Sequence, residues 1–424
     1  MPSAAGVVRA IDGLAAAVSI AGRTVLGLDT NQIPADWSHI TKIDPEPTKQ
    51  LPLAYPLYLQ HTSAVSVGGS SDVTGTTTEE TFELINAAGA TAFHEPSAAR
   101  HVTDRTREQS AFLAIPEVLN GDGEALVGIL GEGIEYAKEE LAPAVLDDIL
   151  PFPIGGRFRG KLSNFAASWL LREAVFEAYI IMNLDSAAAR EANVTEADLL
   201  SPPEAKQRAL AAEHHLESEV IYLEYSGTFG GEEAAKILEA IDNATTWPRL
   251  WYGGGLAARQ DAETVLEAGA DAVVVGNVFH EIAPEEAELF QAARKEFEGD
   301  VEHSDLEDWI ENETEPTNTY AAKFLSTVTS VPDPERHATQ YLAAGVKFGL
   351  ELDTMAASLG EPSATELRGA FRDGRIPGQT TFDTPGGSTQ SQTLARRLGE
   401  SLLAEKFGVE TSDGFESRHL AITL

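Results

Sequence analysis

Short apolar runs alternate with longer amphipathic segments between residues 37 and 280. The runs are rich in Val, Ile, Tyr and Phe and lack polar alternation, which is typical of strands buried on both faces. The eight runs are His39–Asp44, Ala64–Gly68, Ala90–Phe93, Ala111–Ile115, Ala178–Asn183, Val220–Tyr225, Leu250–Gly253 and Ala272–Gly276. Helical patterns lie between or after them, at Glu79–Ala88, Gly123–Glu139, Pro203–Leu216, Gly231–Ile241 and Asp261–Ala268. This alternation predicts an α/β fold, a (β/α)8 TIM barrel, with an open doubly wound sheet as the structural alternative.

Two segments lie outside the predicted barrel domain, which spans residues 37–298. Residues 1–36 form an N-terminal extension, and residues 299–424 form a mainly helical C-terminal extension of unknown role. The C-terminal extension begins with the acidic run Asp300–Glu315, which is typical of a linker or a solvated face. Helical patterns follow at Thr319–Thr327, Pro334–Ser358, Ser363–Arg372 and Gln390–Phe407. In the second of these, we expect the stripe of Leu342, Val346 and Leu350 to pack against the rest of the protein.

The charge of the chain narrows the classes of partner. Among 424 residues, 67 are acidic and 30 basic, giving a net charge of −37. Such a charge disfavours nucleic acid and anionic membrane surfaces as partners. It is typical of proteins adapted to concentrated salt, which suggests an archaeal source. An ordinary acidic protein is the alternative. The chain has no cysteine, which excludes disulfides and thiolate metal sites.

No segment has the features of a membrane span or a signal peptide. The most apolar stretch near the N-terminus, Val7–Leu28, is interrupted by Arg9, Asp12 and Arg23. We therefore expect a cytoplasmic protein whose contact with a membrane, if its substrate is a lipid, is transient.

The sixth run ends in the sequence YLEYSG, Tyr222–Gly227. Because alternate side chains of a strand share a face, Tyr222, Glu224 and Ser226 point one way, and Leu223 and Tyr225 the other. Barrel enzymes place their sites at the carboxyl ends of the strands, where Glu224 could accept a proton as a general base. A structural glutamate paired with a nearby Lys or Arg is the alternative.

The last two runs end in glycine-bearing sequences, YGGG at Tyr252–Gly255 and VGN at Val275–Asn277. Glycines allow backbone N–H groups to approach an anion, and the last two loops of such barrels often hold phosphate. The pair therefore predicts a phosphate site that includes Gly255, Gly276 and Asn277, with ordinary tight turns as the alternative.

The first run ends in ITKIDP, so Lys42 and Asp44 share a face. Lys42 could bind a phosphate, and Asp44 could hold Mg²⁺, which takes one or two carboxylates together with substrate phosphates. The second run continues into VGGSSD, where the Ser70 hydroxyl could complete the metal shell. A simple Lys–Asp ion pair is the alternative.

These motifs together resemble the family of geranylgeranylglyceryl phosphate synthase and heptaprenylglyceryl phosphate synthase, the PcrB-like barrels. The resemblance covers roughly residues 37–285. It is carried by WSHITKIDP at Trp37–Pro45, VGGS at Val67–Ser70, IPEVLNG at Ile115–Gly121, YLEYSG, YGGG and VVVGNV at Val273–Val278. The order YLEYSG, YGGG, VGN is highly specific to this family, whereas GGS alone is weak.

The resemblance implies a Mg²⁺-dependent transfer of a polyprenyl group, here expected to be geranylgeranyl, from its diphosphate to sn-glycerol 1-phosphate. It implies Glu224 as the catalytic base, and Asp44 and Ser70 as metal positions. The implied acceptor-binding residues are Lys42, Tyr222, Leu223, Glu224, Tyr225, Ser226, Gly227, Gly255, Gly276 and Asn277. We also expect a homo-oligomer. Another phosphate-binding barrel isomerase or synthase and a non-catalytic interaction protein are the alternatives.

Two features depart from the family pattern. The family usually has DPD or DPN followed by Lys, whereas this chain has Asp44, Pro45, Glu46 and Pro47. The segment before the fifth run is long and contains Arg157, Arg159 and Lys161 close together. These cations could bind a diphosphate or neutralise nearby acids.

Overall fold

Eight parallel strands form the centre of the protein. A computed structural model describes residues 17, 20–23, 25–46, 50–69, 72–143, 156–297, 299–372, 382, 388–409 and 419–424. The strands are β1 His39–Ile43, β2 Ala64–Val67, β3 Ala92–His94, β4 Ala114–Val118, β5 Val175–Ile181, β6 Val220–Tyr225, β7 Arg249–Gly254 and β8 Ala272–Gly276. They are ordered β3-β2-β1-β8-β7-β6-β5-β4, and the two ends of this sheet meet at a single bridge between His94 and Leu113. The predicted barrel is thus confirmed and is nearly closed.

All eight predicted runs overlap a strand, and the start of the strand differs most in the fourth and fifth. Residues 111–113 run beside β3, with Ala111 donating to the carbonyl of Ala92, and β4 begins only at Ala114. Strand β5 begins at Val175, three residues before the apolar run. The cause is Glu177, a charged residue that interrupts the apolar pattern although its side chain lies inside the barrel, only 1% exposed.

Fifteen α-helices surround and extend the barrel in the described residues. They are α1 Tyr55–Tyr58, α2 Gly75–Ala87, α3 Asp104–Gln109, α4 Ile129–Tyr136, α5 Gly156–Arg172, α6 Ala187–Glu191, α7 Pro202–Ala211, α8 Gly231–Asp242, α9 Arg259–Glu267, α10 Val278–Glu296, α11 His303–Glu313, α12 Tyr320–Thr327, α13 Pro334–Leu359, α14 Ala364–Arg372 and α15 Thr389–Phe407. The four helices predicted from Thr319 onward begin and end within one residue of the observed ones. No helix within this described part is long and apolar enough to cross a bilayer.

The C-terminal extension packs into the same hydrophobic core as the barrel. The first barrel helix, α1, has a single turn, and all four of its residues are buried. Helices α12 and α13 pack against it, and the Tyr58 ring meets the rings of Phe324 and Tyr341 at centroid distances of 5.8 and 5.3 Å. The predicted packing stripe is confirmed, since Leu342 and Val346 are fully buried.

The acidic run Asp300–Glu315, interpreted from sequence as a linker or a solvated face, contains the helix α11. Leu306 and Ile310, four residues apart, are fully buried, while the acidic residues occupy mostly the other face of this helix. The linker interpretation is therefore wrong for this segment, because two apolar side chains on one helix face are enough to anchor an otherwise charged sequence.

Two contacts join the extension tightly to the barrel. The Glu286 carboxylate on α10 accepts the backbone N–H groups of Leu53 and Ala54, and Gly345 of α13 packs directly on it. At the end of the chain, the Leu51 N–H donates to the His419 carbonyl at 2.6 Å, and Leu51 forms a parallel bridge with Leu420. The last residues of the protein thus hold the segment that follows β1.

Candidate active site

The strand register brings the predicted site residues to one end of the barrel. Lys42 lies beside Gly276 of β8 and beside Ser66 of β2, and Glu224 lies beside Gly253 of β7. Because all eight strands are parallel, their carboxyl ends form a single mouth. The sequence expectation that these segments meet is thus met by the geometry.

Lys42 is held in a network of hydrogen bonds just inside this mouth. Its Nζ lies 2.8 Å from Oε1 of Glu95, which follows β3. Glu95 also accepts hydrogen bonds from the Tyr179 hydroxyl and the Ser66 hydroxyl, both at 2.8 Å. Burial is the largest single influence on the pKa of Lys42 and acts to lower it. The charge and hydrogen bond of Glu95, with smaller contributions from Glu177 and Asp44, together outweigh burial, so the net shift is upward. Burial likewise acts against the charge of Glu95, yet Lys42 and the hydroxyl donors bring its pKa below the usual value. The pair is therefore ionised.

Glu177 is a second carboxyl group inside the barrel, and its pKa is shifted in the opposite direction to that of Glu95. It is 1% exposed, and neither of its carboxyl oxygens has a hydrogen-bond partner among the described residues. Burial, and then the charge of Glu95, raise its pKa well above the usual value, and the nearby Lys42 opposes this only in part. Burial without a hydrogen-bond partner favours the neutral form of this carboxyl group, in contrast to the ion pair of Lys42 and Glu95.

The two interior glutamates should respond differently to the same substitution. Glu177→Gln should leave the free energy of unfolding unchanged or higher at neutral pH, because it replaces a neutral acid with a neutral amide. The pKa of Glu177 in the folded protein exceeds its value of about 4.3 in the unfolded chain. The contribution of this group to the free energy of unfolding of the wild type therefore decreases as the pH rises above that value, because the unfolded chain loses this proton first. The gain of the Gln variant should therefore grow with pH in denaturant unfolding curves.

Glu95→Gln is the matched comparison for that experiment. It removes the charge that holds Lys42, and we expect a loss of about 1.5–3 kcal/mol, the usual range for a hydrogen bond to a charged group. Equal losses for both variants would contradict the assignment of one ionised and one neutral carboxyl.

Glu224 has the environment expected of a general base. It is 2% exposed, and its Oε1 accepts the backbone N–H of Ser226 at 3.2 Å. Its Oε2 has no partner among the described residues. Burial raises the pKa of Glu224, and the hydrogen bonds from Ser226 and the charge of Lys42 oppose the shift only in part. The structural alternative of a Glu–Lys or Glu–Arg pair applies to Glu95 rather than to Glu224.

The side chains of the YLEYSG segment divide between two sides of β6. Tyr222 faces the interior, where its ring stacks on Tyr179 at a centroid distance of 4.4 Å. Leu223 and Tyr225 face the surrounding helices, and Tyr225 stacks on Tyr252 at 6.0 Å. If Leu223 or Tyr225 binds the acceptor, it would thus do so through its backbone atoms. Ser226 and Gly227 are exposed at the strand end, where the φ of Gly227 is +84°.

The glycines at the end of β7 leave space for neighbouring groups, and the Gly255 N–H group is not free to bind an anion. A Cβ at Gly253 would lie 1.9 Å from the Tyr222 hydroxyl, so glycine is required for Tyr222 to occupy its position. Gly255 also passes close to the backbone of Thr228, and its N–H donates to the Thr228 carbonyl at 2.7 Å. The Gly255 amide therefore already has an acceptor, and a contact from Gly255 to a phosphate would not use that N–H group.

The end of β8 offers a better anion site. Gly276 and Asn277 are exposed, and Asn277 adopts φ 61° as the residue before the 19-residue helix α10. Asn277 makes no side-chain capping hydrogen bond to this helix. Since the first N–H groups of a helix have no acceptor within it, the start of α10 can donate to a phosphate.

The predicted metal position lies beside the mouth. Asp44 is half-buried, and its Cβ and Glu46 Oε1 would each lie 3.2 Å from a Cβ placed on Gly69. The side chains of Asp44 and Glu46 thus approach the glycine that precedes Ser70, and carboxylates are a type of ligand that Mg²⁺ accepts. Ser70 itself lies outside the described residues. No group of three or more His, Asp or Glu side chains suited to a metal is found among the described residues.

Of the three cations considered for diphosphate binding, Lys161 is exposed on α5. The side chains of Arg157 and Arg159 lie outside the described part of the structure.

Sequence reasoning missed Glu95, Glu177 and Tyr179. The two-residue period could have identified Glu95, because it continues the inward face of Phe93 beyond the end of β3. Glu177 and Tyr179 share the inward face of β5, but the apolar run was read as starting after Glu177.

Comparison with known proteins shows the family of the chain. The sequence profile of the PcrB family matches residues 32–294, more than half of the chain. The chain belongs to the PcrB family. The resemblance inferred from the motifs is thereby confirmed, and the match ends before α11.

Curated proteins similar to this PcrB-family member cover its barrel. A geranylgeranylglyceryl phosphate synthase of Methanosphaerula palustris is 28% identical over 256 residues, 59% of this chain and 93% of that protein. The protein of that name from Halobacterium salinarum is 31% identical, over 58% of this chain and 89% of its own length. A heptaprenylglyceryl phosphate synthase of Bacillus licheniformis is 30% identical, over 61% and 97%.

Among solved structures, this PcrB-family chain is similar to (S)-3-O-geranylgeranylglyceryl phosphate synthase from Thermoplasma acidophilum in complex with its substrate sn-glycerol-1-phosphate. The alignment covers 57% of this chain and 86% of that one, with 19% identity and a TM-score of 0.41.

Proposed function

We propose that the protein is a prenyltransferase that forms the ether bond between a polyprenyl diphosphate and sn-glycerol 1-phosphate, the first ether-bond step of archaeal membrane lipid synthesis. Membership of the PcrB family supports the proposal, as do the names of the curated relatives. The observation that carries it is Glu224, a buried carboxyl with one unpartnered oxygen at the barrel mouth that also holds Lys42.

The acceptor would bind between the end of β6 and the start of α10. Its phosphate would take N–H groups from the first turn of α10 near Gly276 and Asn277, and the Lys42 ammonium lies on the neighbouring strand. Its free hydroxyl would then face Glu224, with Tyr222 and Ser226 as hydrogen-bonding neighbours. The protonated state of Glu177 favours this binding, because a second anion beneath the site would repel a phosphate.

The reaction needs one proton acceptor and one leaving group. Glu224 takes the proton of the acceptor hydroxyl as its oxygen attacks the allylic carbon of the donor. The carbon–oxygen bond to the diphosphate breaks with its electron pair, and the inorganic diphosphate leaves. Magnesium, held by Asp44 with Ser70 and the donor phosphates, would neutralise the charge that develops on this leaving group.

The proposal is tested by incubating the protein with sn-glycerol 1-phosphate, Mg²⁺ and prenyl diphosphates of several lengths in high salt. We expect an ether-linked prenylglyceryl phosphate and inorganic diphosphate in equal amounts, with the geranylgeranyl donor preferred. The enantiomeric sn-glycerol 3-phosphate is the control acceptor and should react much more slowly. Failure to form an ether with every donor would refute the prenyltransferase assignment.

Removal of divalent cations tests the metal part separately. Chelation should lower turnover at least about 100-fold, since charge stabilisation by a metal is worth several kcal/mol. Added Mg²⁺ should restore the rate, and Asp44→Asn should need a higher Mg²⁺ concentration for half-maximal turnover. Full activity in chelator would show that the diphosphate leaves without metal assistance.

A further inference from the structure

The connection between β4 and β5 carries exposed apolar side chains that include two aromatic rings. Of the ten large apolar side chains that are exposed among the described residues, four lie in this connection: Val127, Ile134, Phe165 and Trp169. Four others lie near the N-terminus, and all of these are aliphatic: Ile20, Val25, Leu26 and Leu28. Phe165 and Trp169 belong to α5, are 65% and 56% exposed, and stack on each other at a centroid distance of 6.4 Å. Exposed aromatic pairs of this kind indicate a surface that another phase or partner covers.

The charge of α5 is also unlike that of the rest of the chain. The helix has four basic residues and no acidic one, whereas the chain as a whole has 67 acidic and 30 basic residues. Lys161, Phe165, Trp169 and Arg172 follow at helical spacing and are all exposed, while Ser163 and Ala167 on the opposite side are buried. The outer face of α5 thus presents two aromatic rings between two cations.

We propose that this outer face of α5 rests on the surface of an anionic lipid bilayer. Trp and Phe side chains insert at the boundary of headgroups and acyl chains, and flanking cations pair with anionic headgroups. The net charge of −37 repels an anionic bilayer at a distance, but at molar salt the Debye length is only about 3 Å. Under those conditions only groups that touch the bilayer matter, and on α5 these are cationic and aromatic.

The size of the face favours a bilayer over a second copy of the chain. Two aromatic side chains bury about 150–250 Å² each, whereas a stable protein interface buries about 800 Å² on each partner. An interfacial helix needs no such area, because insertion of a few rings into lipid is sufficient for reversible binding. The contact is useful only if the donor is a membrane-dissolved prenyl diphosphate, and to that extent it rests on the proposed function.

Vesicle flotation with the full-length protein tests the proposal without measuring activity. In the salt that keeps the protein folded, wild type should float with phosphatidylglycerol vesicles and less with phosphatidylcholine vesicles. The double variant Phe165→Ser, Trp169→Ser should lose at least about tenfold in binding. The control variant Val25→Ser, Leu26→Ser also replaces two exposed apolar side chains, but outside α5, and should bind like wild type.

Two outcomes would overturn the proposal. One is the absence of vesicle binding by wild type, or equal binding by the double variant. The other is a wild-type dimer in analytical ultracentrifugation that the double variant dissociates, which would make the face a contact between copies. The rate of prenyl transfer separates a failure of the membrane proposal from a failure of the proposed function. With the donor dissolved in detergent, the double variant should react as fast as wild type. With the donor in vesicles, the double variant should be slower. A wild type inactive with both donors would refute the proposed function and leave the vesicle result intact.

Discussion

Glu224→Gln should lower kcat by about 10²- to 10⁴-fold, the usual contribution of a general base, while leaving the fold intact. The amide keeps the size of the side chain and can still accept the Ser226 N–H, but it cannot take a proton. Because burial raises the pKa of Glu224, the acidic limb of the wild-type kcat profile should lie above the usual glutamate value of about 4.3. This limb should disappear from the residual activity of the variant.

Glu232→Gln is the matched control for this experiment, because Glu232 is 93% exposed on α8 and pairs only loosely with Lys236. It should change neither kcat nor its pH dependence. Wild-type turnover by Glu224→Gln, at an unaltered melting temperature, would contradict this role. Another group would then have to accept the proton of the acceptor hydroxyl, and Glu224 would not be the general base.

Gly345→Ala should produce a large loss of stability for a single methyl addition. A Cβ at this position would lie 2.0 Å from Glu286 Oε2, which cannot withdraw because the same carboxylate accepts two backbone N–H groups. Overpacking of a buried site usually costs about 1–3 kcal/mol, and displacing a buried carboxylate adds to it. Denaturant unfolding would measure the change.

Gly131→Ala in α4 provides the contrast, since nothing lies within 4 Å of a Cβ there. An alanine in a helix is favoured over glycine by about 0.5–1 kcal/mol, so this variant should be slightly more stable than wild type. A neutral Gly345→Ala would mean that α13 does not press on α10 as described, and that the extension is more loosely attached.

The barrel could be predicted from sequence because its strands are buried on both faces. Their side chains are apolar over most of each run, and eight such runs at barrel spacing leave few other folds. The prediction failed in detail where a charged residue enters the interior. Glu177 shifted the predicted start of β5, because a hydropathy pattern along the sequence treats an acidic residue as exposed to solvent.

The site was predicted in part, for a related reason. Lys42 and Glu224 stand in recognisable positions at strand ends, and alternation alone gives their direction. The partner of Lys42 could not be read in this way, because Glu95 follows a different strand and the ion pair exists only once the barrel is closed. The same holds for the Gly255 amide, whose acceptor on Thr228 belongs to another loop.

The ends of the four helices that follow Thr319 were predicted to within one residue. Where these helices pack on the barrel was not predicted. An amphipathic stripe shows which face of a helix is buried, and it does not show what covers that face. In the structure, α12 and α13 pack against the single-turn α1, through contacts of Phe324 and Tyr341 with Tyr58.

The pairing of Leu51 with Leu420 has a consequence for how the protein is made. The segment after β1 leaves the ribosome long before its backbone partner, because the remaining strands of the barrel and the helices of the extension lie between Leu51 and Leu420. Phe324 and Tyr341, which pack on Tyr58, are likewise synthesised after all eight strands. The apolar side chains around Tyr58 therefore lack these partners while the barrel emerges, and nascent chains with exposed apolar surface are prone to aggregate.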